Sequence, residues 1–173
     1  METIRAAQLE DATGIARVHV DSSRTTYKRI FPNAYRATFS YERREESWQR
    51  ILNDPAQVTF VAVDEAGTIV GFVNGGPERE GDPVYQAELY AIYVLQEAQQ
   101  HGLGRRLVKE LTRILAERHF ASMMLWVLAS NPACRFYEAL GGQVIKQRQD
   151  QIGGSSYDEL AYGWQDLSPL LYL

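Results

Sequence analysis

Residues 87–104 read Ala-Glu-Leu-Tyr-Ala-Ile-Tyr-Val-Leu-Gln-Glu-Ala-Gln-Gln-His-Gly-Leu-Gly, an apolar strand that breaks into a turn carrying two glycines. Arg105 to Phe120 then supply an apolar helix, with Leu107, Val108, Leu111, Ile114 and Leu115 at helical spacing. The join fixes a strand–turn–helix unit in mid-chain. The N–H groups of a helix's first turn have no partners inside the helix, and the helix dipole favours negative charge there. Gly102 and Gly104 lack Cβ atoms, so an anion such as a diphosphate can come close to the main chain.

The elements around this unit follow from period and punctuation. Thr3 to Ala6 reads as a short strand, and Asp11 opens a helix with Ile15, Ala16 and Val18 on one face. Thr25 to Asn33 is a mixed aromatic segment that Pro32 keeps from being one unbroken helix. Ser40 caps a helix reaching Asn53, and Asp54-Pro55 ends it. Val58–Asp64 and Thr68–Gly75 form a hairpin about Glu65-Ala-Gly67; Gly76–Asp82 reads as a loop and Val84–Val94 as the next strand. Met123–Leu128 is a continuous apolar run of buried-strand type. Asn131-Pro132 starts a helix over Ala133–Leu140, which Gly141-Gly142 stops. Gln143–Gln151 and Tyr157–Gly163 make a terminal hairpin. The order predicts an α+β domain, three layers α/β/α, with a mixed, mostly antiparallel sheet and one parallel pair where helices cross over.

The 173 residues predict one domain spanning 1–173. The net charge of −4 is spread without a basic cluster, which argues against a nucleic-acid partner. Cys134 is the sole cysteine, so no intrachain disulfide can form, and the 3 histidines lack metal-ligand spacing, so no metal is expected. No run of apolar residues is long enough for a membrane span, and Met-Glu-Thr-Ile-Arg is no secretory signal, which predicts a cytoplasmic protein.

The glycine turn fits neither common nucleotide motif. Arg105-Arg106 stands where a Walker A loop needs Lys-Ser/Thr, and Leu107 where the dinucleotide fingerprint needs a third glycine or alanine. Two other segments decide the matter. Gln99, Gly102 and Gly104 meet a Gln/Arg-x-x-Gly-x-Gly/Ala pattern after Ile92-Tyr93-Val94, and Asn131, Phe136, Tyr137 and Gly141 follow an Asn-x-x-Ala-x-x-Phe-Tyr-x-x-x-Gly-Phe pattern, with one residue fewer between Asn131 and Phe136. Together they resemble the GNAT superfamily of N-acetyltransferases. Cys134 departs from the usual alanine and Gly142 from the usual phenylalanine.

The resemblance implies the acyl-CoA N-acyltransferase fold, with strands 87–94 and 123–128 splaying at their C-terminal ends around acetyl-CoA as cosubstrate. It implies that main-chain groups of Ile92, Tyr93 and Val94 hold the pantetheine arm, aided by Asn131. The turn Gln99, Gln100, His101, Gly102, Leu103, Gly104 and Arg105 would hold the diphosphate. Glu88 is the expected base: even spacing would place Glu88, Tyr90, Ile92 and Val94 on one face, with the Ile92 N–H facing the thioester oxygen. Tyr137 is the expected acid toward the leaving thiolate.

In the resembled family the acceptor lies between the early helices and the final hairpin. Tyr27, Phe31, Tyr90 and Glu159 are the expected lining here, an aromatic wall with carboxylate suited to an amine or polyamine, or to a protein amine. The terminal hairpin and the tail Leu170-Leu-Tyr-Leu offer a surface through which two copies could pair. The expected activity is acetyl transfer to a primary amine by direct attack in a ternary complex. The alternative is a protein of the same fold that binds acetyl-CoA without turnover; retention of Glu88 and Tyr137 favours the enzyme.

Overall fold

A computed structural model describes residues 1–173. The elements are β1 (Thr3–Ala6), α1 (Ala12–Thr26), α2 (Asn33–Arg36), α3 (Tyr41–Leu52), β2 (Val58–Val63), β3 (Ile69–Pro77) and β4 (Ala87–Val94). They continue with α4 (Leu103–Glu117), β5 (Met123–Leu128), α5 (Cys134–Ala139), β6 (Gln143–Ile152) and β7 (Ser155–Trp164). The strands form one sheet in the order β1-β2-β3-β4-β5-β7-β6. All neighbours are antiparallel except β4 and β5. No helix is long and apolar enough to cross a membrane.

Helices cover both faces. A Cβ built on Gly71 or Gly75 would meet Leu107 or Leu111 of α4. Phe72, between those glycines, points the other way, into contact with His19 of α1 and Trp48 of α3. Trp48, Phe72, Leu107, Leu111 and Leu115 are fully buried, and each such side chain contributes roughly 1.5–3 kcal/mol of transfer free energy. The three-layer mixed fold expected from the element order is the one found.

Element limits move for local reasons. Helix α4 starts at Leu103, ahead of Arg105, because Gly102 takes φ 75° as its N-terminal cap, and it ends at Glu117, before His119 turns to φ 68°. Strand β4 starts at Ala87 rather than Val84, since the Asp82 carboxylate accepts from the N–H groups of Val84 and Tyr85 at 2.8 and 2.9 Å and holds a turn there. Gly76 and Pro77 belong to β3 rather than to a loop. Ser40 caps α3 as expected, its Oγ accepting from the Arg43 N–H at 3.3 Å.

One irregularity positions the site. Asn74 pairs with Ala91 and Gly75 with Leu89, so Tyr90 is an extra residue in β4. The bulge reverses the alternation. Glu88 is opposite Gly76, whereas Ile92 is opposite Val73, and an odd separation along β3 places the two side chains on opposite faces. The single face expected for Glu88, Tyr90, Ile92 and Val94 is therefore broken at Tyr90.

Candidate active site

β4 and β5 pair only at Ala87–Met123 and Glu88–Met124. Beyond that point the strands part, while β4 stays bonded to β3 and β5 to β7. The Leu95 N–H donates to Val70 O at 2.9 Å. Alternation along the strand turns the N–H groups of Ile92 and Val94 away from β3 and into the gap. Tyr93 behaves oppositely. Its main chain is directed at β3, leaving only its side chain to act elsewhere.

Past the strand, the N–H groups from Gln100 to Arg105 find no acceptor in the protein; the Arg106 N–H is the first to do so, at Gly102 O, 3.2 Å. Gln99 turns its side chain back to Val94 O at 2.9 Å. His101 and Arg105 are exposed. Arg106 is committed elsewhere, donating to Glu2 O at 2.8 Å. The two glycines have different reasons. Gly102 supplies the left-handed turn, with open space where a Cβ would stand. A Cβ on Gly104 would lie 3.1 Å from the ring of Phe136, so that glycine serves helix–helix packing. The space beside Gly142, where the family often has phenylalanine, is filled by Trp164, 2.7 Å from the position of its missing Cβ.

A cavity of about 510 Å³ runs from this gap to the aromatic side chains of α1 and the segment that follows it. Val94, Gln99, Leu125–Leu128, Asn131 and Tyr137 line its gap end. Asn131 is buried and folds its Oδ1 onto the Ala133 N–H at 2.9 Å, shaping the approach to α5. Tyr137 is 7% exposed, and its hydroxyl has no hydrogen-bond partner in the protein. Burial pushes that hydroxyl well above the usual tyrosine range, so it stays protonated.

The far end is aromatic. The Tyr27 and Tyr93 hydroxyls are 2.9 Å apart. Phe31 packs edge-to-face against Tyr35 and Tyr157 and at a tilt against Tyr27, with ring centroids 4.8 to 5.1 Å apart. Glu159 enters from β7. Its Oε2 accepts from Arg148 Nε at 2.7 Å, and Oε1 carries no hydrogen bond. Tyr90 borders the cavity, but its hydroxyl is taken by Pro77 O.

Glu88 is not part of this group. It is 2% exposed, does not line the cavity, and is ion-paired to Arg79. Its side chain shares the face of Phe72 and Tyr93, opposite that of Ile92, but both carboxylate oxygens are taken by Arg79. Cys134 is also outside the lining, with Sγ 3.5 Å from Leu128 O; burial raises its thiol pKa and disfavours a thiolate nucleophile. No cluster of three or more His, Cys, Asp or Glu side chains is placed to hold a metal. Sequence reasoning missed His19, Arg44 and Asp150, which also line the cavity; no motif marks them, and only tertiary packing brings α1, α3 and β6 together.

A parted parallel pair beside a row of free amides defines an acyl-CoA-binding class of fold. The acetyltransferase (GNAT) family profile matches residues 21–142. An uncharacterized N-acetyltransferase, YuaI of Bacillus subtilis (strain 168), is 41% identical over 170 residues, covering 98% of this chain and 96% of that protein. The chain belongs to the GNAT acetyltransferase family, whose class is acetyl-CoA-dependent acetyl transfer. Two solved structures share the fold. PaiA N-acetyltransferase from Thermoplasma acidophilum in complex with coenzyme A has a TM-score of 0.71 at 21% identity, over 95% of this chain and 99% of that one. YncA, a putative acetyltransferase from Salmonella typhimurium with acetyl-CoA, has a TM-score of 0.73 at 23% identity, over 96% and 94%.

Proposed function

We propose that residues 1–173 act as one N-acetyltransferase domain that moves the acetyl group of acetyl-CoA to a primary amine held in the aromatic end of the cavity. The observation that carries this reading is the uninterrupted run of partnerless N–H groups from Gln100 to Arg105, next to a gap into which Ile92 and Val94 direct theirs. Diphosphate oxygens fit the first set, and an extended pantetheine arm fits the second as an added strand edge would.

Acetyl-CoA supplies an activated thioester; the chain's own residues do the rest. The Ile92 N–H stabilises the charge that grows on the carbonyl oxygen, a preorganised dipole worth about 2.7–4 kcal/mol by analogy with other oxyanion sites. An alkylammonium of ordinary pKa ~10.4 must lose a proton before it attacks. Glu159 takes that proton directly or through water, because its Oε1 is free at the cavity and Glu88 is bound to Arg79. The amine nitrogen forms the new C–N bond as the C–S bond breaks. Tyr137 donates its hydroxyl proton to the departing sulfur. The nitrogen's second proton restores the Tyr137 hydroxyl through water, so that in all two protons leave the nitrogen, one ending on sulfur and one, from Glu159, in water.

Titration calorimetry with coenzyme A and thiol release from acetyl-CoA across a panel of amines test the reading. Binding together with amine-dependent thiol release is expected. Binding without release from any amine leaves a non-catalytic acetyl-CoA-binding protein, and absence of binding ends the proposal.

A further inference from the structure

Arg44 lines the aromatic end of the cavity, is only partly exposed, and takes part in no ion pair and no side-chain hydrogen bond. The two guanidiniums of α1 are committed, whereas Arg43 of α3 is exposed and, like Arg44, unpaired but does not line the cavity. Arg17 donates to Ile69 O at 2.6 Å, and Arg24 to Phe39 O at 2.9 Å and Tyr41 Oη at 3.1 Å. Arg44 shares the cavity with Asp150 and Glu159 but forms an ion pair with neither, so its forked donors stay available to an anion that enters.

Its neighbour is His19. The ring of His19 stacks on Tyr93 with centroids 5.0 Å apart, and its Nδ1 accepts from Trp48 Nε1 at 3.1 Å. An acceptor at Nδ1 puts the proton of the neutral ring on Nε2. Burial and the Arg44 charge keep the ring neutral. The Nε2–H has no acceptor in the protein. One charged and one neutral donor thus stand side by side on the wall formed by α1 and α3. Across the cavity, β6 and β7 present the reverse: Asp150 has no ion pair, and Glu159 keeps Oε1 free.

We propose that Arg44 and the Nε2–H of His19 bind a carboxylate of the acceptor, so that the substrate class is an amino acid rather than a simple amine or polyamine. This rests on the acetyltransferase reading above and narrows it. The ammonium end faces Glu159 and Asp150, the carboxylate end Arg44, and the aromatic walls take the side chain. A polyamine places its second cation at the Arg44 end, where repulsion is poorly screened.

The test compares each of the common amino acids with its primary amide and with its decarboxylated amine, by thiol release from acetyl-CoA. The expected result is a kcat/KM preference for the carboxylate form of about 10- to 100-fold, in line with a charge-assisted hydrogen-bonded pair. Arg44→Gln erases the preference, and Arg44→Lys restores part of it. A second readout needs no turnover: with coenzyme A present, N-acetylphenylalanine is titrated against its primary amide, following the His19 ring resonances by NMR. Tighter binding of the acid, lost in Arg44→Gln, supports the proposal. Amines or polyamines used as well as amino acids, equal or no binding of the acid and amide, or an Arg44→Gln effect confined to coenzyme A affinity each overturn it. Failure of every amine to release thiol, with the acid still preferred in the binding experiment, overturns the acetyltransferase reading and not the carboxylate site.

Discussion

Arg79 closes over Glu88. The guanidinium donates to the Glu88 carboxylate through Nε at 3.1 Å and through Nη2, and it rests on the Tyr90 ring at 4.1 Å from the centroid. The contact joins the bulge residue Tyr90, and Glu88 two positions before it, to the loop after β3. It makes Glu88 a fixed part of the strand, at the last rung before β4 and β5 part.

Glu88→Gln is therefore expected to lower stability by about 1–3 kcal/mol, the cost of disturbing a buried, charge-assisted hydrogen bond, while the pH–rate profile keeps its shape. Glu159→Gln is expected to do the opposite, lowering kcat/KM by about 100-fold with little change in unfolding midpoint. The sign with pH follows from the amine. Without a base the reaction depends on the unprotonated fraction, which falls tenfold per unit below the amine pKa, so the deficit of Glu159→Gln is largest at lower pH. Initial rates between pH 6 and 9 with denaturation curves on both variants check this. A reshaped profile in folded Glu88→Gln returns the base role to that residue.

Tyr137→Phe removes only the hydroxyl, which no protein group binds. The expected loss is about 100-fold in kcat with coenzyme A affinity changed less than about twofold. Burial raises this hydroxyl's pKa, so the protonated, donating form persists through neutral and alkaline solution. The wild-type rate should then show no tyrosine-type fall as pH climbs towards the ordinary phenol value of ~10. Calorimetry and pH-dependent turnover on the pair of proteins decide it, and an unchanged kcat removes the acid role.

The glycines of the turn separate by a coupling experiment. Gly104→Ala presses a methyl against Phe136, 3.1 Å away, and overpacking of this kind costs about 1–3 kcal/mol. Phe136→Leu in the same chain should recover most of it. Gly102→Ala puts a side chain at φ 75°, which costs about 1–2 kcal/mol, and Phe136→Leu should recover none of that. Urea denaturation of the single and double variants measures the coupling. Equal recovery at both positions contradicts the packing role of Gly104.

The frame of the molecule could be read from its residues because the informative signals are local. Met123–Leu128 is apolar on both faces, as a central strand must be, and its limits match. The Leu107, Leu111 and Leu115 stripe fixes α4. The family resemblance implies a bulge in strand 87–94, but its place at Tyr90 was not legible, since no glycine or proline marks it and a single extra residue reverses every following side chain. That reversal parts the Glu88 side chain from that of Ile92, and the Arg79 pair, which no motif marks, is what occupies its carboxylate. His19 and Arg44 were illegible for a different reason. Each is an ordinary helical residue until α1 and α3 are packed on the sheet, and their chemistry arises from what they lack in the folded chain: an acceptor for Nε2–H, and an anion.

His19 also sets a pH limit on the fold. Burial and the neighbouring Arg44 hold its pKa down at about 3, whereas the unfolded chain has the ordinary value of 6.5. Between those values the unfolded state binds a proton that the folded state refuses, so stability falls as pH drops below 6.5 and the loss is complete near pH 3. At pH 5 the loss is about 2 kcal/mol. Trp48 reports the event directly, since its Nε1 donates to the nitrogen that would be protonated. His19→Asn keeps an oxygen near the Nδ1 position for Trp48 and removes the titration. Its stability should therefore change less than that of the wild type between pH 7 and 5, whatever its absolute value. Chemical denaturation followed by tryptophan fluorescence at both pH values gives the comparison. If both proteins lose the same stability over that interval, His19 is not the group that resists the proton.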